Sequence, residues 1–288
     1  MIDNMIDNTI GNQTKYYRIG GIVFRMDAPD FPAAGFQEAF RVEPCTPDVT
    51  YTVCAADTLT RPDAPCIAAP EMREFYRTGD AVVRLFLDEW DSTVLISDTE
   101  RGNHHDVLIR RDKLGCFSRT LALKLMNLPR AVIPFGGVFL HASFINRNGE
   151  AVLFTAPKQT GKSTQARLWE TYRGTQTVNG DRALLRRQGE TWYAYGSPYC
   201  GTSGICTDAA LPLRAVVLLS QGKENTAARA SARRAFSALL DGCSFDTWDK
   251  EQMTRLTDLF GSLITSVPFY TLSCRPDVGA VEALEALL

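Results

Sequence analysis

Residues 150–173 read EAVLFTAPKQTGKSTQARLWETYR, and this stretch decides the fold. Residues 150–155 form an apolar run with the length of a buried strand. Residues 156–163 fit the phosphate-loop (Walker A) pattern. Apolar residues then recur at helical spacing through residues 162–173, and Gly174 is a stop signal. The sequence therefore predicts a strand, a tight loop and a helix in succession. The predicted buried face of the helix is formed by Ala166, Trp169 and Tyr172.

The residue types in the loop suit a bound phosphate chain. Backbone N–H groups at a helix N-terminus attract an anion, and Gly161 lets the backbone approach it without a Cβ clash. Lys162 would reach the β- and γ-phosphates of a nucleotide, and the Ser163 hydroxyl would bind Mg²⁺. Ala156 stands where the pattern has its first glycine. The predicted nucleotide-binding residues are Ala156, Pro157, Lys158, Gln159, Thr160, Gly161, Lys162, Ser163 and Thr164.

A chance match in a lysine-containing polar loop is the alternative explanation of this pattern. The motif is informative only where a strand precedes it and a helix follows it, and both are predicted here. We therefore predict that the chain binds a nucleotide, which we take to be ATP with Mg²⁺.

The composition is that of a soluble globular protein with room for two domains. Of the 288 residues, 45% are hydrophobic and 22% are charged, and the net charge is −2. Such a balance provides no basic field for nucleic acid or an anionic membrane. No apolar run approaches the roughly 20 residues that span a bilayer, and the polar N-terminus lacks a signal core. We expect a cytoplasmic protein without nucleic-acid or membrane partners, and self-association into a homo-oligomer stays open.

Cysteine and histidine spacing does not predict a metal site. The eight cysteines include no Cys-x-x-Cys pair, and no cysteine and histidine cluster has zinc spacing. We therefore expect reduced thiols. The sequence His104-His105-Asp106 has two interpretations, a metal site or a surface turn before a strand at residues 107–109, and we favour the turn.

The distribution of these patterns divides the chain into three segments. Residues 1–14 contain a repeat of MIDN and are predicted to be a disordered lead-in. Residues 15–130 are predicted as a β-rich N-terminal domain with a linking helix at residues 118–130, which Pro129 ends. Residues 131–288 are predicted as the catalytic domain around the phosphate loop. The expected fold class is α/β with a mixed sheet (α+β), preceded by the smaller β-rich domain.

The N-terminal segment has strand patterns but no catalytic constellation. We predict a hairpin at residues 16–25 and a loop at residues 61–71, where three prolines stand. Further strands are predicted at residues 49–53, 75–77, 81–87 and 92–96. This domain either docks a substrate or only packs as a small sheet, and the sequence leaves both open.

Two titratable residues lie on either side of the phosphate loop in sequence. His141 lies in an apolar strand predicted at residues 136–145, and the turn at residues 146–149 would make this strand the antiparallel neighbour of strand 150–155. That pairing could bring His141 to the loop, but a histidine in such a strand is also a common hydrogen-bonded core residue. Asp181 follows a strand-like segment, where a carboxylate can bind Mg²⁺ or take a proton from an acceptor. The sequence Asn-Gly-Asp is also good turn chemistry, so both readings of Asp181 stay open.

The remaining segments are predicted as further strands and helices. A hairpin is expected at residues 182–187 and 191–195, strands at 213–219 and 269–272, and helices at 227–240, 250–267 and 278–288. The Gly-rich loop at residues 196–204 either closes over a substrate or is a surface excursion. Arg214 either approaches the phosphates or is a solvated strand end. Arg229, Arg233 and Arg234 are predicted on a solvated helix face.

Three motifs together resemble the catalytic domain of bacterial HPr serine kinase/phosphorylase, whose wider group includes the ATP-type phosphoenolpyruvate carboxykinases. They are His141-Ala142-Ser143, the phosphate loop, and Gly180-Asp181-Arg182, and the resemblance covers residues 131–220. It implies that Asp181 is the catalytic aspartate that takes the proton of an acceptor serine, with His141 beside it. The catalytic residues that this resemblance implies are Asp181, His141 and Lys162, and the metal ligands are Ser163 and Asp181.

The chain departs from the resembled kinases at two places. Those enzymes have two adjacent acidic residues where this chain has Gly180-Asp181, and their later Glu-x-Arg-Gly-x-Gly signature is absent. Either Asp181 serves both the metal and the proton transfer, or Asn179 assists, or activity is reduced. We predict an ATP- and Mg²⁺-dependent kinase that phosphorylates a hydroxyl group, a serine of a peptide or protein. The alternatives are a kinase for a small hydroxylated metabolite and a non-catalytic NTP-binding regulatory or scaffold module.

Overall fold

A computed structural model describes residues 12–29, 38–116, 123 and 126–288. The chain divides into two compact units, Met1–Ala131 and Val132–Leu288. Each unit contains a large mixed sheet and helices are few, so the fold belongs broadly to the mixed α/β class. Residues 1–11 of the predicted lead-in lie outside the described residues, and residues 12–14 belong to the first strand. In the part of the chain that is described, no helix is both long and apolar enough to cross a bilayer.

The first unit contains a nine-stranded sheet in the order β3-β1-β2-β4-β9-β8-β7-β6-β5. The pairs β2–β4 and β4–β9 are parallel, and the other neighbours are antiparallel. Alternate residues of β4 and β8 are buried, because successive side chains of a strand point to opposite faces. The strands are β1 (Asn12–Ile19), β2 (Ile22–Pro29), β3 (Arg41–Val42), β4 (Val49–Ala56), β5 (Cys66–Ala68), β6 (Arg73–Thr78), β7 (Ala81–Leu87), β8 (Val94–Arg101) and β9 (His104–Arg110).

Most strand predictions for this unit are confirmed. The hairpin is formed by β1 and β2 around Gly20-Gly21. Strands occur at each of the other predicted places, although the strand predicted at residues 92–96 begins only at Val94. The loop predicted at residues 61–71 is partly wrong, because Cys66–Ala68 forms the edge strand β5 against β6. Because this edge strand has only three residues, its sequence is too short to show the alternating apolar pattern of a strand.

His104 and His105 lie within β9, so the predicted surface turn is wrong. Every second residue of β9 is buried from His105 onward. The His105 ring stacks on the Tyr51 ring with 4.3 Å between centroids, and its Nδ1 lies 3.1 Å from Asp98 Oδ1. Arg84 Nη2 donates to the second Asp98 oxygen at 2.6 Å. The histidine is therefore part of a buried polar network with Asp98 and Arg84. It lies in the core because it occupies the face of β9 on which every second residue is buried.

We expect Asp98→Ala to lower the free energy of unfolding of the first unit by about 3–5 kcal/mol, because truncation leaves the Arg84 charge buried without its carboxylate. Asp106→Ala is the matched control. Asp106 pairs with Arg101 at the surface, where such a pair contributes at most about 1 kcal/mol. Urea unfolding at neutral pH measures both values, and equal losses in the two variants would contradict a stabilising role of the buried network.

The same network gives the unfolding free energy a pH dependence with a defined sign. Burial raises the pKa of Asp98, but the charges and hydrogen bonds of Arg84 and His105 outweigh burial and hold that pKa below its usual value. A carboxyl with a lowered pKa in the folded state contributes stability above the unfolded pKa of about 4, and this stability is lost as the pH falls through the lower folded pKa. The difference between Asp98→Ala and the unsubstituted protein should therefore shrink in acid.

The second unit contains an eight-stranded sheet that follows the path β11-β10-β13-β14-β15-β17-β16, with β12 paired to β10 and β11 also paired to β15. The strands β11, β15 and β17 are parallel neighbours, so their C-terminal ends lie at one edge. The strands are β10 (Gly137–Arg147), β11 (Glu150–Thr155), β12 (Gln176–Asn179), β13 (Arg182–Gln188), β14 (Thr191–Tyr195), β15 (Ala210–Gln221), β16 (Thr226–Arg229) and β17 (Phe269–Cys274). The described α-helices are α1 (Leu128–Val132), α2 (Lys162–Arg173), α3 (Ala232–Gly242), α4 (Lys250–Ser266) and α5 (Val278–Glu285).

Helices cover both faces of this sheet. Phe154 packs in one buried cluster with Trp169 of α2, and its neighbour Leu153 packs in another with Leu239 of α3 and Phe260 of α4. Because neighbouring residues of a strand point to opposite faces, the two clusters lie on the two sides of β11. The sheet edge that follows β11 is thereby held between two helical layers.

The predicted strand at residues 150–155 and the predicted helix at residues 162–173 are confirmed with the same bounds, and Gly174 ends the helix in a left-handed conformation. The predicted buried face is correct for Ala166 and Trp169 and wrong for Tyr172, which is 45% exposed. Each step of three residues falls short of a full helical turn by about 60°. Tyr172 is two such steps from Ala166 and leaves the buried face.

Two further boundaries differ from the predictions. The helix predicted at residues 227–240 begins only at Ala232, after the N-cap Ser231, and Arg229 lies in β16. Pro129 stands in the first turn of α1, which continues past the predicted end to Val132, because a helix tolerates proline where no N–H partner is needed. Residues 118–122 and 124–125 of the predicted linking helix lie outside the described residues. The hairpin, the helix at 250–267, and the final strand and helix are confirmed within a few residues.

Candidate functional site

The loop between β11 and α2 has a backbone suited to an anion. Gln159 (φ +62°) and Gly161 (φ +114°) have left-handed backbone, and Thr160 between them does not. Such alternation turns successive N–H groups toward one side and forms a concave anion-binding nest. A Cβ at Gly161 would meet no atom within 4 Å. The backbone angle, and not lack of space in the protein itself, therefore makes glycine the suitable residue here.

Lys162 is the first residue of α2 and is buried despite its charge. Its Nζ donates to the carbonyl oxygens of Ala156 at 2.9 Å and Pro157 at 3.1 Å. An ammonium has three N–H groups, and within the described chain these two carbonyls are its hydrogen-bond acceptors, which leaves one N–H for a phosphate oxygen. Burial lowers the pKa of Lys162, and the negative charge of Asp181 partly offsets this. The ammonium is therefore held in place at the start of the loop.

Strand pairing brings His141 and Asp181 to the edge where the loop begins. Thr155, the last residue of β11, donates its hydroxyl to the His141 carbonyl at 2.9 Å. His141 pairs with Arg182 across β10 and β13, and the Ala142 N–H donates to the Asp181 carbonyl at 2.9 Å. The His141 Nδ1 lies 3.3 Å from Asp181 Oδ1, a close polar contact without the alignment of a good hydrogen bond. Two residues far apart in sequence thus form one acid–base pair.

The electrostatic surroundings of Asp181 favour the ionised carboxylate. Burial raises the pKa of Asp181, but His141, Arg182 and Lys162 together outweigh burial and lower that pKa below its usual value. The side chain keeps 27% of its surface exposed, so it is accessible to a ligand. At neutral pH this group can bind a cation or accept a hydrogen bond from a hydroxyl group.

Arg182 is a site residue that the sequence reasoning did not select. Its Nε lies 3.8 Å from Asp181 Oδ2, and its Nη1 donates to the Ser244 hydroxyl. The guanidinium also lies over the Tyr199 ring, 5.1 Å from the centroid. The signal that would have found Arg182 is its cross-strand pairing with His141, which depends on a register between strands about forty residues apart in the chain.

A cavity of about 820 Å³ opens beside the loop and the acid–base pair. Its wall includes five predicted site residues, which are His141, Ala156, Pro157, Lys158 and Asp181. The other predicted residues, Gln159, Thr160, Gly161, Lys162, Ser163 and Thr164, complete the loop and the first turn of α2. The structure thus places the loop and the acid–base pair at one opening.

The opposite wall of the cavity comes from α3 and the residues after it. Arg234, Ser237, Ala238 and Asp241 line the cavity and recur at helical spacing. Arg234 is exposed, as predicted for this charged helix face, but the face borders the cavity. Helical spacing alone could have grouped these residues, while their position opposite the loop follows from the packing of α3 on the sheet.

A disulfide joins Cys200 of the Gly-rich loop to Cys206, which lies just after that loop. The expectation of reduced thiols is wrong for this pair, because the loop turns back and brings their Cα atoms to 5.0 Å, within the range for a disulfide. Free cysteines among the described residues include Cys45, Cys54, Cys66, Cys243 and Cys274. The loop was expected either to close over a substrate or to be a surface excursion, and its inner side packs against the turn that carries Asp181.

Gly180 has no room for a side chain. A Cβ at Gly180 would lie 1.9 Å from the Ser203 Oγ, within the Gly-rich loop. The second acidic residue of the resembled kinases therefore has no space at this position while the loop stays where it is.

Arg214 does not approach the phosphate loop. It follows Leu213, which pairs with Ala151 at the start of β11, whereas the loop follows the other end of that strand. Its Nη2 donates to the carbonyl oxygen of Leu288. The hypothesis of a phosphate-binding Arg214 is wrong because the parallel register places it at the opposite sheet edge.

The residues present fit a magnesium ion that arrives with a nucleotide. No group of three or more His, Cys, Asp or Glu residues is arranged for a metal within the described ranges. Nucleotide-borne Mg²⁺ uses one or two protein oxygens and takes its other ligands from phosphates and water. Asp181 offers an ionised carboxylate and Ser163 an exposed hydroxyl in the first turn of α2. This donor set suits such an ion and is too small for a metal held by protein alone.

A comparison with solved structures adds a weak structural likeness. No protein-family model matches the chain, and no curated protein sequence matches it. A solved structure of the HPr(Ser) kinase/phosphatase from Coxiella burnetii aligns with 11% sequence identity and a TM-score of 0.32, over 52% of this chain and 88% of that chain. A likeness of this size carries no functional conclusion, so the function proposed below rests on the geometry of the site.

Proposed function

We propose that this protein is an ATP- and Mg²⁺-dependent kinase that transfers the γ-phosphoryl group to a hydroxyl group, a serine of a peptide or protein. The observation that carries the proposal is the single cavity lined both by the start of the phosphate loop and by the His141–Asp181 pair. A phosphoryl donor and an acceptor hydroxyl have to meet in one place, and this cavity joins the two kinds of group.

The loop and Lys162 are assigned to the triphosphate. The left-handed residues Gln159 and Gly161 gather N–H groups at the N-terminus of α2, where the helix dipole favours an anion. Lys162 adds a positive charge, and its attraction for a phosphate is stronger in this partly desolvated place than it would be in water. Mg²⁺ would be held by Ser163 and Asp181, and it would neutralise charge on the phosphates. Positioning and charge neutralisation supply most of the rate in this type of chemistry.

Asp181 and His141 are assigned to the acceptor. The Asp181 carboxylate is ionised at neutral pH, and its lowered pKa keeps it so in this partly buried place, so it can accept the hydrogen bond of the incoming hydroxyl and then its proton. His141 contacts one carboxylate oxygen and Arg182 the other, which fixes the orientation of the group. In this assignment the Asp181 carboxylate alone both binds Mg²⁺ and accepts the proton, because Gly180 has no side chain that could share these roles.

A small hydroxylated metabolite is the second candidate acceptor. The cavity volume of about 820 Å³ lies in the range of small-molecule pockets, and basic and acidic side chains of α3 line it. A peptide serine would need only the opening of the same cavity. The two candidates share the donor site and differ in what the α3 wall contacts.

Incubation of the protein with γ-labelled ATP and Mg²⁺ tests the proposal and separates the acceptors. We expect label in a pool of serine-containing peptides, because the cavity is open to the surface. Label in a metabolite pool alone would assign the second candidate. Nucleotide binding with no label in either pool, and no release of ADP, would overturn the kinase proposal in favour of a non-catalytic NTP-binding module.

A further inference from the structure

Asn179 is fully buried and joins the turn that carries Asp181 to the loop beyond it. Its Oδ1 accepts the N–H groups of Asp181 at 2.9 Å and Arg182 at 3.0 Å. Its Nδ2 donates to the Ser197 carbonyl at 2.8 Å. Ser197 lies in the segment of residues 196–206, which we call the clamp loop. A single amide side chain therefore links the backbone of Asp181 to the clamp loop.

The clamp loop makes further contacts with the same turn. The Gly180 N–H donates to the Ile205 carbonyl at 3.2 Å, and Asn179 and Cys206 form an isolated β-bridge. The backbone of Gly201 packs on Asp181 so closely that a Cβ there would lie 2.8 Å from the Asp181 Cβ. The position of Asp181 is therefore defined from outside by the clamp loop as well as by its own strands.

The disulfide closes the part of the clamp loop that makes these contacts. Cys200 precedes Gly201, and Cys206 is the bridge partner of Asn179. Residues 201–205 between them are exposed, so the protein core contributes little to their order. A segment with few buried contacts opens easily, and a covalent link across it restricts the open conformations.

We propose that the clamp loop is the positioning element for Asp181 and that the Cys200–Cys206 bond switches it between a fixed and a loose state. With the bond formed, Gly201 and Ile205 stay against the turn. With the bond reduced, the exposed segment leaves and Asp181 loses one side of its support. The consequence for phosphoryl transfer rests on the proposed function, while the change in the order of the turn does not.

The chemical step is ordinary thiol–disulfide exchange with a dithiol reductant. A reductant thiolate attacks one cysteine sulfur, the S–S bond breaks, and a mixed disulfide forms. The second reductant thiol then displaces the first cysteine. Two electrons and two protons pass to Cys200 and Cys206, and the reductant leaves as its own disulfide.

Amide hydrogen exchange of the full-length protein tests the switch without an activity assay. Peptide mapping first establishes the Cys200–Cys206 link in the air-oxidised protein. We expect the N–H groups of Gly180 and Asp181 to exchange at least about tenfold faster after reduction with dithiothreitol. The double variant with Cys200→Ser and Cys206→Ser should behave like the reduced protein with or without the reductant. Cys66→Ser removes an exposed thiol of the first unit and is the matched control, with exchange and reductant response unchanged.

Measuring phosphoryl transfer by the oxidised and the reduced protein distinguishes the proposed switch from the proposed function. Once an acceptor is identified, reduction should lower kcat about tenfold or more and leave the binding of ATP in the absence of Mg²⁺ unchanged, because the clamp loop supports Asp181 and not the phosphate loop. Equal exchange at Gly180 and Asp181 in the oxidised and reduced protein, or absence of the link in peptide mapping, would overturn the switch. A protein that transfers no phosphate but shows the exchange difference would overturn the kinase proposal and leave the clamp loop as a redox-dependent support.

Discussion

Lys162→Ala is expected to bring γ-phosphate transfer below detection, with a loss of roughly 10²- to 10³-fold or more. The ammonium is positioned by the Ala156 and Pro157 carbonyls at the start of the loop, and it is desolvated there. A charge in such surroundings acts strongly on the charge that develops on the transferred phosphoryl group. A filter or gel assay with γ-labelled ATP measures the loss, and the KM for ATP should rise in whatever activity remains.

The control for Lys162→Ala is Lys223→Ala, which removes an exposed lysine between β15 and β16. It should leave transfer unchanged. Thermal unfolding of both variants shows whether the fold survives, and we expect it to survive because α2 keeps its buried Ala166 and Trp169. Full transfer by a folded Lys162→Ala protein would remove the phosphate loop from the mechanism and with it the proposed function.

Asp181→Asn is expected to lower kcat by about 10²- to 10⁴-fold, the range that a general base contributes. The amide keeps the shape of the carboxylate but cannot take a proton, and it no longer balances the charge of Arg182. Binding of ATP in the absence of Mg²⁺ should stay within a few-fold of the unsubstituted protein, because the loop itself is unchanged. Single-turnover transfer and calorimetric titration with ATP measure these two quantities.

Asp258→Asn is the matched control, since it makes the same change of charge on the exposed surface of α4. It should leave both kcat and ATP binding unchanged. If Asp181→Asn kept the kcat of the unsubstituted protein, the carboxylate would have no part in the transfer. If it lost ATP binding without Mg²⁺ as well, its role would be to hold the loop together.

The order of elements in the second unit could largely be predicted from the sequence, and the contacts within the site could not. Strand β11 and helix α2 have the predicted bounds because a bounded apolar run and helical spacing are local properties. Arg182 was overlooked because its part in the site depends on pairing with His141 across two strands. The sequence places Arg234 on a solvated face of a helix, whereas Arg234 lines the cavity. A helical pattern shows which face is polar, but it does not show which part of the protein lies opposite that face.

Errors in the first unit have the same origin. His105 was placed in a turn because adjacent histidines and an aspartate look polar, although His105 lies on the alternating buried face of β9. Its partners Asp98 and Arg84 come from the two strands next in the sheet. Only their pairing shows that the charges can be buried together, because an unpaired charge would be too costly in the core.

The sequence by itself determined a loop with phosphate-binding residue types between a buried strand and an amphipathic helix, because spacing along one chain segment is enough to define that unit. Only the tertiary structure decided which groups face the loop. The antiparallel register of β10 with β11 and β13 brings His141 and Asp181 to the same sheet edge. The packing of α3 on the sheet places Arg234 at the cavity. The clamp loop, closed by its disulfide, packs against Asp181. Hydrogen bonds between distant strands, and burial against them, have no counterpart in local spacing, so these contacts exist only in the folded chain.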